Sequence, residues 1–190
     1  MSERFHSERF DTPTGEMLIV TDAQHRLRSA DWEDKADRMV RLLQLQYGET
    51  GFDLQEAPVP SRARLALEAY FAGHLGAIEE IRTETRGTDF QRQVWSALRK
   101  IPAGTTLSYG QLAARIGRPS AVRAVGAANG ANPIAVVVPC HRVIGADASL
   151  TGFGGGLERK RWLLAHEGIH SAKTVQYDLA LAEGSVASRF

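Results

Sequence analysis

Glycine and proline interrupt this 190-residue sequence so often that its apolar-periodic stretches stop after roughly a dozen residues each. "KADRMVRLLQLQYG" spaces Met39, Val40, Leu42, Leu43 and Tyr47 for one helical face and ends at Gly48. After the breaker "APVPS", "RARLALEAYFAG" repeats the pattern with Leu65, Leu67, Tyr70 and Phe71 before Gly73. Thr88 or Asp89 is placed to cap "FQRQVWSALRKI", whose face is Phe90, Val94, Leu98 and Ile101, and "PAG" ends it. "LERKRWLLAHEG" sets Leu157, Trp162, Leu163 and Leu164 on an apolar side and stops at Gly168. A chain punctuated in this way builds short elements, and its length allows one good core or two small ones sharing an interface.

"GEMLIV" and "LRSADW" flank the polar "TDAQHR" and predict a β-hairpin, while "NPIAVVVP" reads as a β-rich run closed by proline. "HLGAIEEIRTETRG" is polar and mixed, the composition of a connector. The predicted class is α+β: an N-terminal α/β domain with connector over 1–87, a mainly helical domain over 88–169, and a tail over 170–190 with no clear periodicity. No apolar run approaches the ~20 residues of a membrane span, and "MSERFHSERFD" lacks the apolar centre of a signal peptide. The single cysteine, Cys140, excludes an internal disulfide framework and a four-cysteine zinc site, so a reducing cytoplasm is the expected location, with no metal and no cofactor.

Charge is segregated. Between 88 and 169 the bases Arg92, Arg99, Lys100, Arg115, Arg118, Arg123, Arg142, Arg159, Lys160 and Arg161 face only Asp89, Asp147, Glu158 and Glu167. Such a field attracts polyanions, or it is a solubility pattern with no partner. Within this half, "SYGQLAARIG", "RPS" and "AVRAVGAANG" fit a helix-turn-helix. Small Ala121, Ala124, Gly126, Ala127, Ala128 and Gly130 let the second helix approach another surface closely, but they read base edges poorly. Arg123 is its one long charged side chain, either reaching into a duplex or lying on a solvated face of a structural helix pair.

Cys140 stands between Pro139 and His141-Arg142. A thiolate is stabilised by backbone N–H groups, a cation or a histidine, and a chain reversal after Pro139 would supply all three. In an extended strand, however, adjacent side chains diverge, so a turn or an intervening water is needed to couple His141 to the sulfur. A histidine base needs an acceptor to orient it, and Glu167 is one of two late acids in this half. The alternative is a buried apolar cysteine with no reactivity.

"NPIAVVVPCHRVIG", "SYGQLAARIG", "RAVGAANGANP", "TGFGGG" and "ERKRWLLAHEG" together resemble the O6-alkylguanine-DNA alkyltransferases, also called methylated-DNA–protein-cysteine methyltransferases, in order and spacing from about Thr88 to Gly168. "TPTGEMLIV" and "YFAGHL" resemble the family's variable N-terminal domain more weakly, and the arrangement is most similar to the stand-alone bacterial form. The resemblance implies an N-terminal lobe with a ribonuclease H-like sheet and helices, a monomer, and no cofactor. It further implies irreversible transfer of an alkyl group from O6-alkylguanine, and from O4-alkylthymine, in flipped-out duplex DNA to the protein. By position, Cys140 would accept the alkyl group, His141 would relay its proton through a water, and Glu167 would orient His141. Tyr109 would donate to the departing guanine, Asn132 would brace the cysteine, and Arg123 would fill the gap left by the extruded nucleotide. Ser108, Ala121, Ala124, Gly126 and Ala127 would meet the DNA. Val143, Ala135, Phe153, Gly154 and Gly155 would line the pocket, with the carbonyls of Cys140 and Val143 reading the guanine amine and the Gly154 amide reaching O6. Gly154 stands where several relatives have serine and Phe153 where some have tyrosine, which predicts a roomy pocket open to alkyl groups larger than methyl. A protein that grips damaged DNA without repair would carry another residue at 140, and a thiol hydrolase would place its histidine far from the cysteine in sequence.

Overall fold

The strands β1 (Glu3–Phe10), β2 (Met17–Asp22), β3 (Leu27–Trp32) and β4 (Phe52–Glu56) form a sheet in the order β3-β2-β1-β4. This is seen in a computed structural model that describes residues 2–48 and 51–170; the predicted tail lies, beyond His170, outside the described residues. β2 and β3 make the predicted hairpin, Met17 opposite Trp32, and both are buried along their whole length because the sheet is covered on both faces. One face packs Phe5, Leu18 and Val20 on helix α1 (Ala36–Tyr47) through Met39, Leu43 and Tyr47. On the other, Phe10, Met17, Ile19, Leu27, Ala30 and Trp32 share a continuous core with Leu67 and Tyr70 of α2 (Arg62–Phe71) and with the second half of the chain.

Two expected face residues point outward: Val40 is 38% and Leu65 54% exposed. On α2 the buried stripe is Ala63, Leu67, Tyr70 and Phe71, and Leu65 sits two residues off it, about 200° round the helix from Ala63. Leu157 is likewise exposed.

The second half contributes α3 (Asp89–Arg99), α4 (Tyr109–Arg115), α5 (Val122–Gly130) and α6 (Leu157–His166). Reciprocal capping boxes, Thr88 with Gln91 and Ser108 with Gln111, start α3 and α4. Gly117, at φ +73°, takes the chain out of α4 towards α5, the predicted helix-turn-helix. A two-residue parallel pair, β5 (Leu107–Ser108) with β6 (Val143–Ile144), sets the start of α4 beside the turn that follows Cys140.

The run "NPIAVVVP" is not a strand. It makes one bridge to β3, with Ala30 N–H donating to Pro133 O at 3.0 Å and Ala135 N–H to Ala30 O at 2.8 Å. It then coils on itself through Val136, at φ +68°, and a bond from Val138 N–H to Ile134 O. Its apolarity records burial on every side, which a strand and a buried loop share. Among the described residues no helix is long and apolar enough to cross a membrane.

Candidate active site

Asn132 organises the buried loop that an ordinary β-ladder would otherwise have to satisfy. Its Oδ1 accepts from Ile134 N–H at 3.0 Å, and its Nδ2 donates to Val138 O at 2.8 Å and to Cys140 Sγ at 3.1 Å. Cys140 opens a 3-10 turn, Cys140–Arg142, closed by Arg142 N–H donating to Pro139 O at 3.0 Å, and is only 6% exposed. Burial pushes its thiol up, against the Asn132 hydrogen bond and the charges of Lys160 and Arg38.

The turn swings His141 away from solvent and towards the end of α6, so Cys140 and His141 do not alternate as neighbours on a strand would. Its Nε2 lies 2.9 Å from Glu167 Oε1, while Nδ1 is buried without a protein hydrogen bond. Glu167 is the residue just past α6, where Gly168 at φ +84° ends the helix. It also accepts from Arg142 Nε at 2.9 Å, Arg142 Nη2 at 2.8 Å and Tyr70 Oη at 2.7 Å. Burial opposes its charge, yet the His141 and Arg142 hydrogen bonds outweigh it and hold the carboxyl well below the usual range. Burial lowers His141 more than Glu167 raises it, so the ring rests neutral. Its Nε2–H then faces the carboxylate and Nδ1 remains an acceptor.

Tyr109 begins α4, and its Oη reaches Thr151 O at 3.5 Å, the limit of a hydrogen bond. Facing it, the glycine-rich loop is tied down by Lys160. This fully buried ammonium donates to Val143 O and Thr151 O at 2.6 Å each, and burial lowers it to about 8. The carbonyls of Val143 and Cys140 thus already accept one bond each, from Lys160 and from the Val143 N–H, and keep a second lone pair. Phe153 stands edge-on to His141 and Trp32, and Ala135 is buried in the loop beneath.

The outer face of α5 presents Arg123, Ala124 and Ala127 to solvent, with Ala121 and Ser108 half-buried at the helix starts. Gly126 faces inward, where a Cβ would lie 3.9 Å from the Tyr109 ring. The basic excess is partly internal: Arg142 and Lys160 are buried, Arg99 donates to the carbonyls of Val137, Glu79 and Ile81, and Arg159 pairs with Asp34. Arg115, Arg118 and Arg123 remain exposed around the helix-turn-helix.

The glycine-rich loop is closely packed at two of its residues. Gly155 is packed against the first lobe, since a Cβ there would come within 2.5 Å of the Trp32 ring. Gly154 leaves no open space, because a Cβ would meet the Arg38 guanidinium at 2.6 Å. Nothing in the sequence marks Arg38, Tyr70 or Lys160 as site residues, and Arg142, expected to lend charge beside the thiol, donates to Glu167. Tyr70 and Arg38 lie in another lobe, 97 residues from Glu167 and 94 from Asn132, and no local pattern announces them.

Residues 89–169 match the family model described as "6-O-methylguanine DNA methyltransferase, DNA binding domain". A methylated-DNA–protein-cysteine methyltransferase of Salmonella typhimurium is 53% identical over 165 residues, 87% of this chain and 96% of that one. A Shigella flexneri protein of the same name is 50% identical over the same shares. The crystal structure of Mycobacterium tuberculosis OGT in complex with DNA superposes with a TM-score of 0.68 at 41% identity, covering 87% of this chain and 93% of that one.

Proposed function

Because the chain belongs to the methylated-DNA–protein-cysteine methyltransferases, which move an alkyl group from DNA to a protein cysteine, we propose that Cys140 is the acceptor and O6-alkylguanine, swung out of a duplex, the donor. The observation that carries this reading is the single 3-10 turn that joins a thiol held by Asn132 to a histidine held by Glu167.

The chemistry is an in-line displacement. Sγ bonds to the alkyl carbon as the carbon–O6 bond breaks, and the electron pair leaves on the guanine. The thiol proton passes through a water to His141 Nδ1, and the imidazolium is stabilised by the Glu167 carboxylate. Tyr109 Oη donates to the guanine ring, and the Gly154 N–H is the donor for O6. The free lone pairs on the Cys140 and Val143 carbonyls take the guanine amine. Since Cys140 is buried, entry of the base separates Tyr109 from Thr151, a contact at the limit of a hydrogen bond. Arg123 occupies the vacated stack while α5 lies against the groove with its small residues. The product thioether has no second cysteine to release it, so each molecule acts once.

Incubation with duplex containing O6-methylguanine, followed by intact mass and peptide mapping, tests the reading. The wild type gains one methyl group on Cys140, and Cys140→Ala gains none while still binding the duplex. An unmodified wild type, or a methyl group elsewhere, refutes it.

A further inference from the structure

We propose that Arg38, a first-lobe residue, limits the size of the alkyl group the Cys140 site accepts, by filling the space that a side chain at position 154 would take; this rests on Cys140 being the acceptor. An ideal Cβ on Gly154 would stand 2.6 Å from Arg38 Cζ, 2.7 Å from Nη2 and 2.8 Å from Nε. Distances under 3 Å are not tolerated between such atoms, so any other residue at 154 must displace the guanidinium. The guanidinium is held. Nη1 donates to Asp31 Oδ2 at 2.5 Å, and Nη2 to Gly130 O at 2.9 Å and Asn132 O at 3.2 Å. Asp31 is only 1% exposed, so moving Arg38 away strands a buried carboxylate.

Asn132 connects this wall to the chemistry. Its carbonyl accepts from Arg38, and its side-chain amide donates to the sulfur. Arg38 therefore stands between the loop that carries Gly154 and the segment that braces Cys140. The missing side chain at 154 leaves no free space, because a planar cation from the other lobe occupies its place. A methyl group leaves that cation undisturbed. A bulky apolar group presses on it, and either strips its solvation or breaks its bonds to Asp31 and the 130–132 carbonyls. Arg38 touches no reacting atom, so it determines specificity rather than performing catalysis.

Single-turnover rate constants on duplexes carrying O6-methylguanine or O6-benzylguanine test this with wild type, Arg38→Ala, Gly154→Ser and the double variant. The benzyl-to-methyl ratio is insensitive to the fraction of protein that is folded. Arg38→Ala raises that ratio on the order of tenfold, the usual scale of pocket-size discrimination. Gly154→Ser slows both substrates, and adding Arg38→Ala restores most of the loss because the hydroxymethyl group gains the vacated space. If Arg38→Ala does not fold, the pair Arg38→Ala with Asp31→Asn removes the stranded charge and gives the same ratio. A ratio unchanged within about twofold, or losses that merely multiply in the double variant, overturns the proposal. A wild type that never alkylates Cys140 overturns instead the acceptor reading on which it rests.

Discussion

Glu167 shows how much one carboxylate can organise. It receives hydrogen bonds from Tyr70, His141 and both Nε and Nη2 of Arg142, all from groups that are buried or nearly so. A neutral isostere keeps the shape and strands the Arg142 charge, so Glu167→Gln is expected to destabilise the fold by about 3–5 kcal/mol. The acid response follows from the same contacts. His141 is depressed in the fold, so as pH falls below about 6.5 the unfolded chain takes up its proton first and stability declines. Glu167 is also depressed, so its contribution is complete above about 4.3 and is lost as pH drops towards its folded value. Urea unfolding from pH 7 down to about pH 2 should therefore show a falling midpoint in the wild type. Glu167→Gln should show a shallower fall below about pH 4.3, and parallel curves would contradict the assignment. Cys140, His141, Glu167 and Asn132 were legible because one motif carries the first two and the spacing to the others is kept. Tyr70 was not, because its reason for being there lies wholly in the folded contact with Glu167.

Elements were legible where their periodicity and their ends agreed. α3 is the clearest case: Val94, Leu98 and Ile101 are buried as predicted, and Thr88 caps the helix with Gln91 returning the bond. α3 also carries Trp95, whose Nε1 donates to Ala128 O of α5 at 2.8 Å and so sets the helix proposed to meet DNA. Thr88→Ala should cost about 1 kcal/mol in urea unfolding and leave the transfer rate on folded protein unchanged. A loss near zero would mean that packing alone fixes the start of α3. β1 escaped the sequence reading because "ERFHSERF" buries only Phe5, Glu8 and Phe10, and these fall on opposite faces of a central strand. β4 escaped because it is an edge strand with four of its five residues exposed. The opposite error at 133–138 has the mirror cause: all six residues are buried, so the pattern had no polar side from which to read a period.

Across the whole molecule the two lobes share one core, and the first lobe supplies Ala30, Trp32, Arg38 and Tyr70 to the surroundings of the cysteine. That sharing changes what the charge distribution means. The sequence of the second half is mostly basic with only Asp89, Asp147, Glu158 and Glu167 against its bases, yet Arg99, Arg142, Arg159 and Lys160 direct their charge to carbonyls or carboxylates of the protein itself. Among the described residues, Lys100, Arg115, Arg118 and Arg123 are the exposed bases there to which no acid is paired, and Arg118 also lies over the Phe90 ring. Each phosphate neutralised by such a residue releases counterion and adds about −0.9 to the slope of log affinity against log salt. The wild type bound to undamaged duplex should then give a slope of roughly −3 to −4, far shallower than ten basic residues would produce. Arg115→Gln should reduce its magnitude by about 1, whereas Arg159→Gln, which breaks the contact with Asp34, should lower thermal stability and leave the slope alone. Equal changes in slope from the two substitutions would show that the internal arginines take part in the DNA field, and that the helix-turn-helix surface is not where the duplex lies.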